Sequence, residues 1–309
     1  MRAVTSLGIV FVVALWSPLG GGAAEPPTAI RVLSWNLRNY NLSDRYLYEQ
    51  YRRQYPKPES EKAALRAVIT SLAPDVLLLQ EVGNDRFLRE LSEDLRREAG
   101  LQYSAFETLL AVDTERRLGV MSRIPWVQVG SALPPGANFP YLGDRVGVKR
   151  GLLQVQPALP GAPALTLLTL HLKSRFTSDE RDPGSAERRE KEARLIRDAL
   201  RDQFAADPDR AWVLVGDLND HAASPAYDRL TVVNGQPVML EIPVIDRSGL
   251  SWTYHYARQR RYEQIDFLFV SPSLYDSPHW QIEALIVDHP QVLQASDHRP
   301  ILIDLRWIP

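Results

Sequence analysis

Apolar runs of strand length in this sequence end in polar side chains of a few chemical types. There are four carboxylates (Glu81, Asp217, Asp266, Asp297), two amides (Asn36, Asn219) and two imidazoles (His171, His298). If these groups converge, the acids repel one another and raise each other's pKa, and a bound cation relieves the repulsion. An oxygen-rich set without thiols favours a hard ion, Mg²⁺ or Mn²⁺, with Ca²⁺ also admissible. No two histidines have the close spacing of a zinc-binding helix, so zinc is not expected. An Asp–His pair suits proton transfer or charge stabilisation, the carboxylate orienting the ring. Metal, oriented histidine and base together suit hydrolysis of a phosphate ester, where water must be placed in line and the developing charge neutralised. Enzymes accelerate such reactions by up to roughly 10²¹-fold.

The elements that must position these groups follow from hydrophobic periodicity. Strands are predicted at 30–34, 76–80, 118–122, 152–156, 165–171, 212–216, 265–271, 282–287 and 301–305. Helices are predicted at 61–72, 85–98, 185–204 and near 225–230. Runs such as DVLLLQ (75–80) and WVLVGD (212–217) are continuously apolar, as in strands buried on both faces. The pattern predicts a layered α/β protein with mixed sheets. Functional groups gathered at strand ends are a recurrent arrangement in open α/β sheets. The helix at 185–204 places Ala193, Ile196, Ala199, Leu200 and Phe204 on one face. Its charged run, Glu187–Arg194, reads as a solvated surface held by i,i+4 pairs.

The 309 residues include no cysteine, and 36 basic side chains face 38 acidic ones. A disulfide scaffold, a Cys-ligated metal and a thiol nucleophile are therefore excluded. The net charge of −2 argues against coating nucleic acid by bulk electrostatics, though not against a local basic groove. Residues 1–24 have the layout of a secretory signal: Arg2, an apolar stretch from Leu7 to Trp16, then small residues up to Ala24. The apolar stretch is too short for a comfortable membrane span. Cleavage near Ala24 is expected, leaving a single domain over 25–309 in a secreted or periplasmic protein, monomeric and without stable membrane insertion.

Six motifs in order carry a family resemblance. They are Ser34-Trp35-Asn36-Leu37, the run Asp75–Glu81 (DVLLLQE), Leu170-His171-Leu172-Lys173-Ser174, Gly216-Asp217-Leu218-Asn219-Asp220, Gln264-Ile265-Asp266-Phe267 and Ser296-Asp297-His298-Arg299-Pro300. Together they resemble the endonuclease/exonuclease/phosphatase superfamily, in motif style its secreted bacterial nucleases. The resemblance implies a deoxyribonuclease I-like fold: a four-layer α/β sandwich of two packed mixed β-sheets flanked by helices. It also implies roles. Glu81 is the principal metal ligand, helped by Asn36 and Asp297. Asp217 orients or deprotonates the attacking water, and Asn219 holds that water or the phosphate. His298 contacts the phosphoryl oxygen, with Asp266 on its other nitrogen. His171 is the second histidine of the deoxyribonuclease branch, with Glu115 as its carboxylate partner. The identity of the base, and the choice between one metal and two, stay open.

Three cations are candidates for gripping phosphate. Lys173 and Arg175 follow His171, and alternation along a continuing strand would put all three on one face. Arg150, beside Lys149, precedes a strand. Tyr254–Arg261 is the most basic and aromatic segment, suited to stacking a single-stranded base or equally to a surface hairpin. His221, His279 and His289 read as structural or solvated.

The function implied is a secreted, metal-dependent phosphodiesterase cutting DNA or RNA. The alternative is a phosphatase or phospholipid phosphodiesterase of the inositol phosphate or sphingomyelin type, with a phosphorylated small molecule or a phospholipid head group as substrate. Asp220 and His221 stand where inositol phosphatases carry an aromatic and an arginine. Pro134–Tyr141 offers only Phe139 and Tyr141 as a membrane-inserting loop. A non-catalytic binding module is the reading of a different class, and it has little reason to pack like charges together.

Overall fold

The computed structural model describes residues 29–47 and 49–309. The expected secretory signal lies outside the described residues. Two six-stranded sheets dominate. The strands used below are β1 (Ala29–Tyr40), β2 (Val76–Val82), β3 (Ala105–Leu109), β4 (Arg117–Ser122), β5 (Trp126–Ser131), β6 (Leu152–Pro157), β7 (Leu165–His171), β8 (Ala211–Asp217), β9 (Leu240–Glu241), β10 (Asp266–Val270), β11 (Trp280–Ile286) and β12 (Ile301–Trp307). The first sheet runs β11-β12-β1-β2-β4-β3 and the second β9-β10-β8-β7-β6-β5. Each has a parallel pair at its centre, β1 with β2 and β7 with β8, flanked by antiparallel neighbours.

Four layers result, because the strands are apolar on both faces. Val32, Val76 and Leu78 of the first sheet meet Leu165, Leu167, Val213, Val215 and Leu268 of the second in a central core. The alternate residues Leu33, Leu77 and Leu79 face outward against α1 (Glu59–Leu72) and α2 (Asp85–Ala99). Leu168, Leu170 and Leu214 likewise face α3 (Ala186–Phe204) and α4 (Pro225–Thr231). Helix α2 is capped by Asn84, whose side chain accepts the Arg86 N–H, and it stops at Gly100 with φ 68°. Ser224 caps α4 in the same way, with Pro225 in the first turn.

The nine predicted strands and four predicted helices are all present, most extended by one or two residues at an end. The edge strands β3, β5 and β9 were not predicted. They are short and half-exposed, so they lack the long apolar run that marks a buried strand. The charged run of α3 departs from the expectation. Arg188–Glu192 and Lys191–Glu187 form i,i+4 pairs, but Arg189 and Glu192 are buried rather than solvated. Glu192 accepts the backbone N–H groups of Lys149 and Lys173 at 3.0 and 2.9 Å, and Arg189 pairs with Asp220 at 2.9 Å. This carboxylate staples two loops to the helix.

A candidate active site at the polar end of the central core

The inward row of each central strand changes from apolar to polar at one end of the sandwich. In β1 the row is Val32, Ser34, Asn36; in β2 it is Val76, Leu78, Gln80; in β7, Leu165, Leu167, Thr169, His171; in β8, Val213, Val215, Asp217. In β10 it reads backwards, Val270, Leu268, Asp266. Period-two alternation therefore aims these groups into one space between the sheets. Just below that space, Gln80 Nε2 spans the sandwich and donates to Thr169 Oγ1 at 2.8 Å and to Ser34 Oγ at 3.2 Å. At Gly216 (φ 153°) a Cβ would lie 2.2 Å from the Leu170 carbonyl oxygen, so only glycine lets β8 approach β7 there.

Asp217 is the hub. Its Oδ1 accepts the Asn219 N–H at 2.6 Å, and its Oδ2 accepts the side-chain amides of Asn36 and Asn219 at 3.0 and 3.2 Å. His171 Nε2 stands 3.4 Å from the same oxygen and His298 Nε2 3.9 Å. His298 Nδ1 bonds Asp266 Oδ2 at 2.9 Å. The turn carrying His298 is pinned to β1: Trp35 Nε1 donates to the His298 carbonyl, Ser296 Oγ donates to the Asn36 carbonyl, and the same Oγ accepts the His298 N–H.

The electrostatics follow from burial and charge. Burial pushes the Asp217 carboxyl up to about 7, with the Asp266 carboxylate adding to the effect and the His298 charge opposing it. Burial alone would lower His298, but Asp266, by charge and hydrogen bond, together with Asp217 and Asp297, lifts it to about 10. His171 is held well below its ordinary value, by burial first and then by the Arg150 guanidinium. The site thus pairs a charged histidine with a neutral one across a single acid.

Asp217, Asp266 and His298 each offer a ligand atom within 4.8 Å of the others, so this trio could hold a metal. Yet its atoms are already engaged with one another and with three amide N–H bonds. Glu81 sits at the end of β2 in a left-handed conformation (φ 59°) and is half-buried. Its Oε2 accepts the Asn39 N–H at 2.9 Å. Asn36 pairs in register with Gln80, the residue before Glu81. Asp297 lies 3.7 Å from Arg38 and next to His298 in the chain. Asn36, Glu81 and Asp297 offer only oxygen ligands, the kind a hard divalent ion takes; Asn36 Oδ1 accepts the Arg38 N–H.

Lys173, Arg175 and Arg150 stand elsewhere than a strand face. β7 ends at His171, so the alternation expected to align His171, Lys173 and Arg175 does not continue. Lys173 Nζ folds onto the carbonyls of Ser174 and Phe176, and its pKa falls to about 8, chiefly through burial. Arg175 bonds the Asn219 carbonyl and Glu263. Arg150 is buried, paired with Asp113 at 3.2 Å and with the Leu172 carbonyl. Arg175 and Arg150 thus brace the Asn219 and His171 loops. Glu115 is not the carboxylate partner of His171: its side chain is 58% exposed and lies near Arg116, and His171 Nδ1 has no hydrogen-bond partner among the described residues. Tyr254–Tyr256 and Arg261–Glu263 form a hairpin, with the Tyr254 ring centroid 4.9 Å from that of His298. Gln80, Ser296 and Trp35 lie inside the sequence motifs, but their bridging and anchoring roles, like the Glu192 staple, depend on which distant groups they meet.

A family model described as the endonuclease/exonuclease/phosphatase family matches residues 33–298. The chain belongs to this family. Its members are generally phosphoric ester hydrolases. No curated protein matches the chain by sequence. Among solved structures, this family member resembles an endonuclease/exonuclease/phosphatase from Beutenbergia cavernae (21% identity, covering 91% of this chain and 72% of that one, TM-score 0.60). It also resembles the human Nocturnin catalytic domain with bound sulfate (16%, 92% and 96%, 0.59). A third likeness is to D. rerio TDP2 complexed with a single-strand DNA product (16%, 90% and 99%, 0.58). These likenesses establish the deoxyribonuclease I-like fold. A cleft of about 270 Å³ lined by Trp280 and Trp307 lies at the opposite end of the strands, away from this chemistry.

Proposed function

We propose that the protein is a divalent-metal-dependent phosphodiesterase that hydrolyses nucleic-acid phosphodiester bonds, and that its N-terminal segment directs it out of the cytoplasm. The observation carrying this reading is the buried Asp266–His298 pair turned toward an Asp217 whose carboxyl titrates near neutrality. Glu81, Asn36 and Asp297 would hold the ion, which supplies Lewis-acid polarisation of the phosphoryl oxygen. Asp217, fixed by three amide N–H groups, accepts a proton from the attacking water. Asn219 orients that water through the same network. His298, cationic at neutral pH and locked by Asp266, presents Nε2–H to the charge developing on the phosphoryl group. His171, buried and neutral, keeps the opposite side of Asp217 free of a second cation.

Two observations favour a nucleic acid over a lipid. Phe139 is buried and the Tyr141 hydroxyl donates to Asp182 at 2.9 Å, so neither ring of the 134–141 segment is a free membrane anchor. A D. rerio TDP2 structure of the same fold holds single-strand DNA product. The test is a substrate panel of plasmid DNA, RNA and sphingomyelin vesicles, with and without chelator. Metal-dependent cleavage of nucleic acid is expected, and cleavage confined to vesicles would overturn the reading. Export is tested by sequencing the N-terminus of the protein recovered outside the cytoplasm, expected to begin near Glu25.

A further inference from the structure

Between β1 and α1 the chain builds a two-stranded arm, Ser43–Leu47 against Gln50–Tyr55, that the proposed mechanism does not use. Tyr46 stands directly opposite Tyr51, and Arg45 directly opposite Arg52. Alternation sends the two pairs to opposite faces. The tyrosine pair is open to solvent, with Tyr46 71% and Tyr51 62% exposed. Arg52 sits over the Tyr55 ring at 5.3 Å, and its Nε is buried with no hydrogen-bond partner among the described residues. An anion drawn to Arg52 would relieve that cost.

The arm is fastened to the rim of the site. Arg45 donates to the Tyr55 carbonyl at 3.1 Å and to the Asn39 carbonyl at 2.6 Å. Asn39 is the residue whose N–H holds Glu81. The charges around Arg45 are mixed, Glu61 and Glu81 acting on it along with Arg38 and Arg116.

We propose that this arm is a binding site for single-stranded nucleic acid, the Tyr46–Tyr51 face stacking bases and Arg52 and Arg53 taking backbone phosphates beside the candidate site. The proposal rests on the nuclease reading and adds strandedness to it. Stacking needs an accessible base face, which a single strand offers and a duplex hides. Arg53 is exposed on the same arm as the rings, and Asp44 accepts the Tyr51 hydroxyl; charged groups beside both rings oppose insertion among lipid chains.

The test is fluorescence anisotropy with a labelled oligothymidylate and its duplex with oligoadenylate, chelator being present to prevent cleavage. The wild type should bind the single strand more tightly than the duplex. The double variant Tyr46→Ala/Tyr51→Ala should bind the single strand about 10-fold or more weakly, and Tyr46→Phe/Tyr51→Phe should bind like the wild type. Unweakened binding by the alanine variant overturns the proposal. Equal losses in both variants overturn it too, since the hydroxyls rather than the rings would then matter. Binding of phosphatidylglycerol vesicles in place of the oligonucleotide, lost in the alanine variant, reassigns the arm to membranes. Failure of the wild type to hydrolyse bis(p-nitrophenyl) phosphate with Mg²⁺ would count against the proposed function separately, leaving the binding result as measured.

Discussion

His298 and Asp266 share a buried hydrogen bond of 2.9 Å between residues 32 positions apart in the chain. The bond fixes which nitrogen of the ring is left for chemistry: Nδ1 is taken, and Nε2 points toward Asp217. Asp266→Asn should therefore keep the fold yet lower kcat on bis(p-nitrophenyl) phosphate by about 10²–10³-fold with little change in KM. His298→Ala should cost at least as much. Steady-state kinetics decide it, and full activity in His298→Ala would refute the catalytic assignment.

The same pair couples stability to pH. The folded His298 titrates at about 10, above the roughly 6.5 of an unfolded histidine. Its stabilisation is thus fully present below about pH 6.5 and is lost as pH rises through 10. Asp217 acts in the same direction: its folded carboxyl titrates near 7, above the unfolded value, so its contribution is lost as pH rises through 7. With chelator present, the Tm should fall steadily between pH 7 and 10. In Asp266→Asn the decline should be shallower, as differential scanning calorimetry would show; an unchanged slope would mean that His298 is not charged in the folded protein.

Metal dependence should be specific to the oxygen-rich set. Chelation should abolish hydrolysis, and Mg²⁺ or Mn²⁺ should restore it. Glu81→Gln should raise the Mg²⁺ concentration needed for half-maximal activity by about 10–100-fold. Titration calorimetry with Mn²⁺ reads the same loss without reference to activity. Wild-type Mn²⁺ affinity in this variant would shift the ion to the Asp217–Asp266–His298 trio.

Glu192 is a stability residue for the loops behind His171. Glu192→Ala strands two backbone N–H groups and the Arg188 guanidinium, so urea denaturation should show a loss of about 3–5 kcal/mol. Glu192→Gln retains an acceptor and should lose less. Equal losses would indicate that charge rather than hydrogen bonding holds the loops.

Much of this architecture is legible from alternation alone. DVLLLQE and WVLVGD announce strands covered on both sides, and the polar residues closing those runs are the ones that meet in space. Asp266, His298, Asp217 and Asn219, from three separate motifs, are brought into contact by the fold. The edge strands were not legible, because half-exposed segments such as Ala105–Leu109 have neither a continuous apolar run nor a clean alternation. The charged run on α3 misled for a different reason: Glu192 looks like its exposed neighbours in sequence, and only the folded chain brings the Lys149 and Lys173 amides to it. Extended-strand logic also failed after His171, where the backbone leaves the sheet and Lys173 turns back on its own loop.

The Gln80 amide that reaches across to Thr169 and Ser34 acts as an alignment pin between two plates that share no covalent link at that level. Glu81 and Asn36 ride on one plate, Asp217 and Asp266 on the other. A slip of one plate by a fraction of an ångström would misalign the proposed ion ligands and the proposed proton acceptor while leaving every helix and strand intact. Gln80→Leu, whose lost bonds reach Thr169 and Ser34 and none of the proposed reacting groups, should therefore lower activity without unfolding the protein.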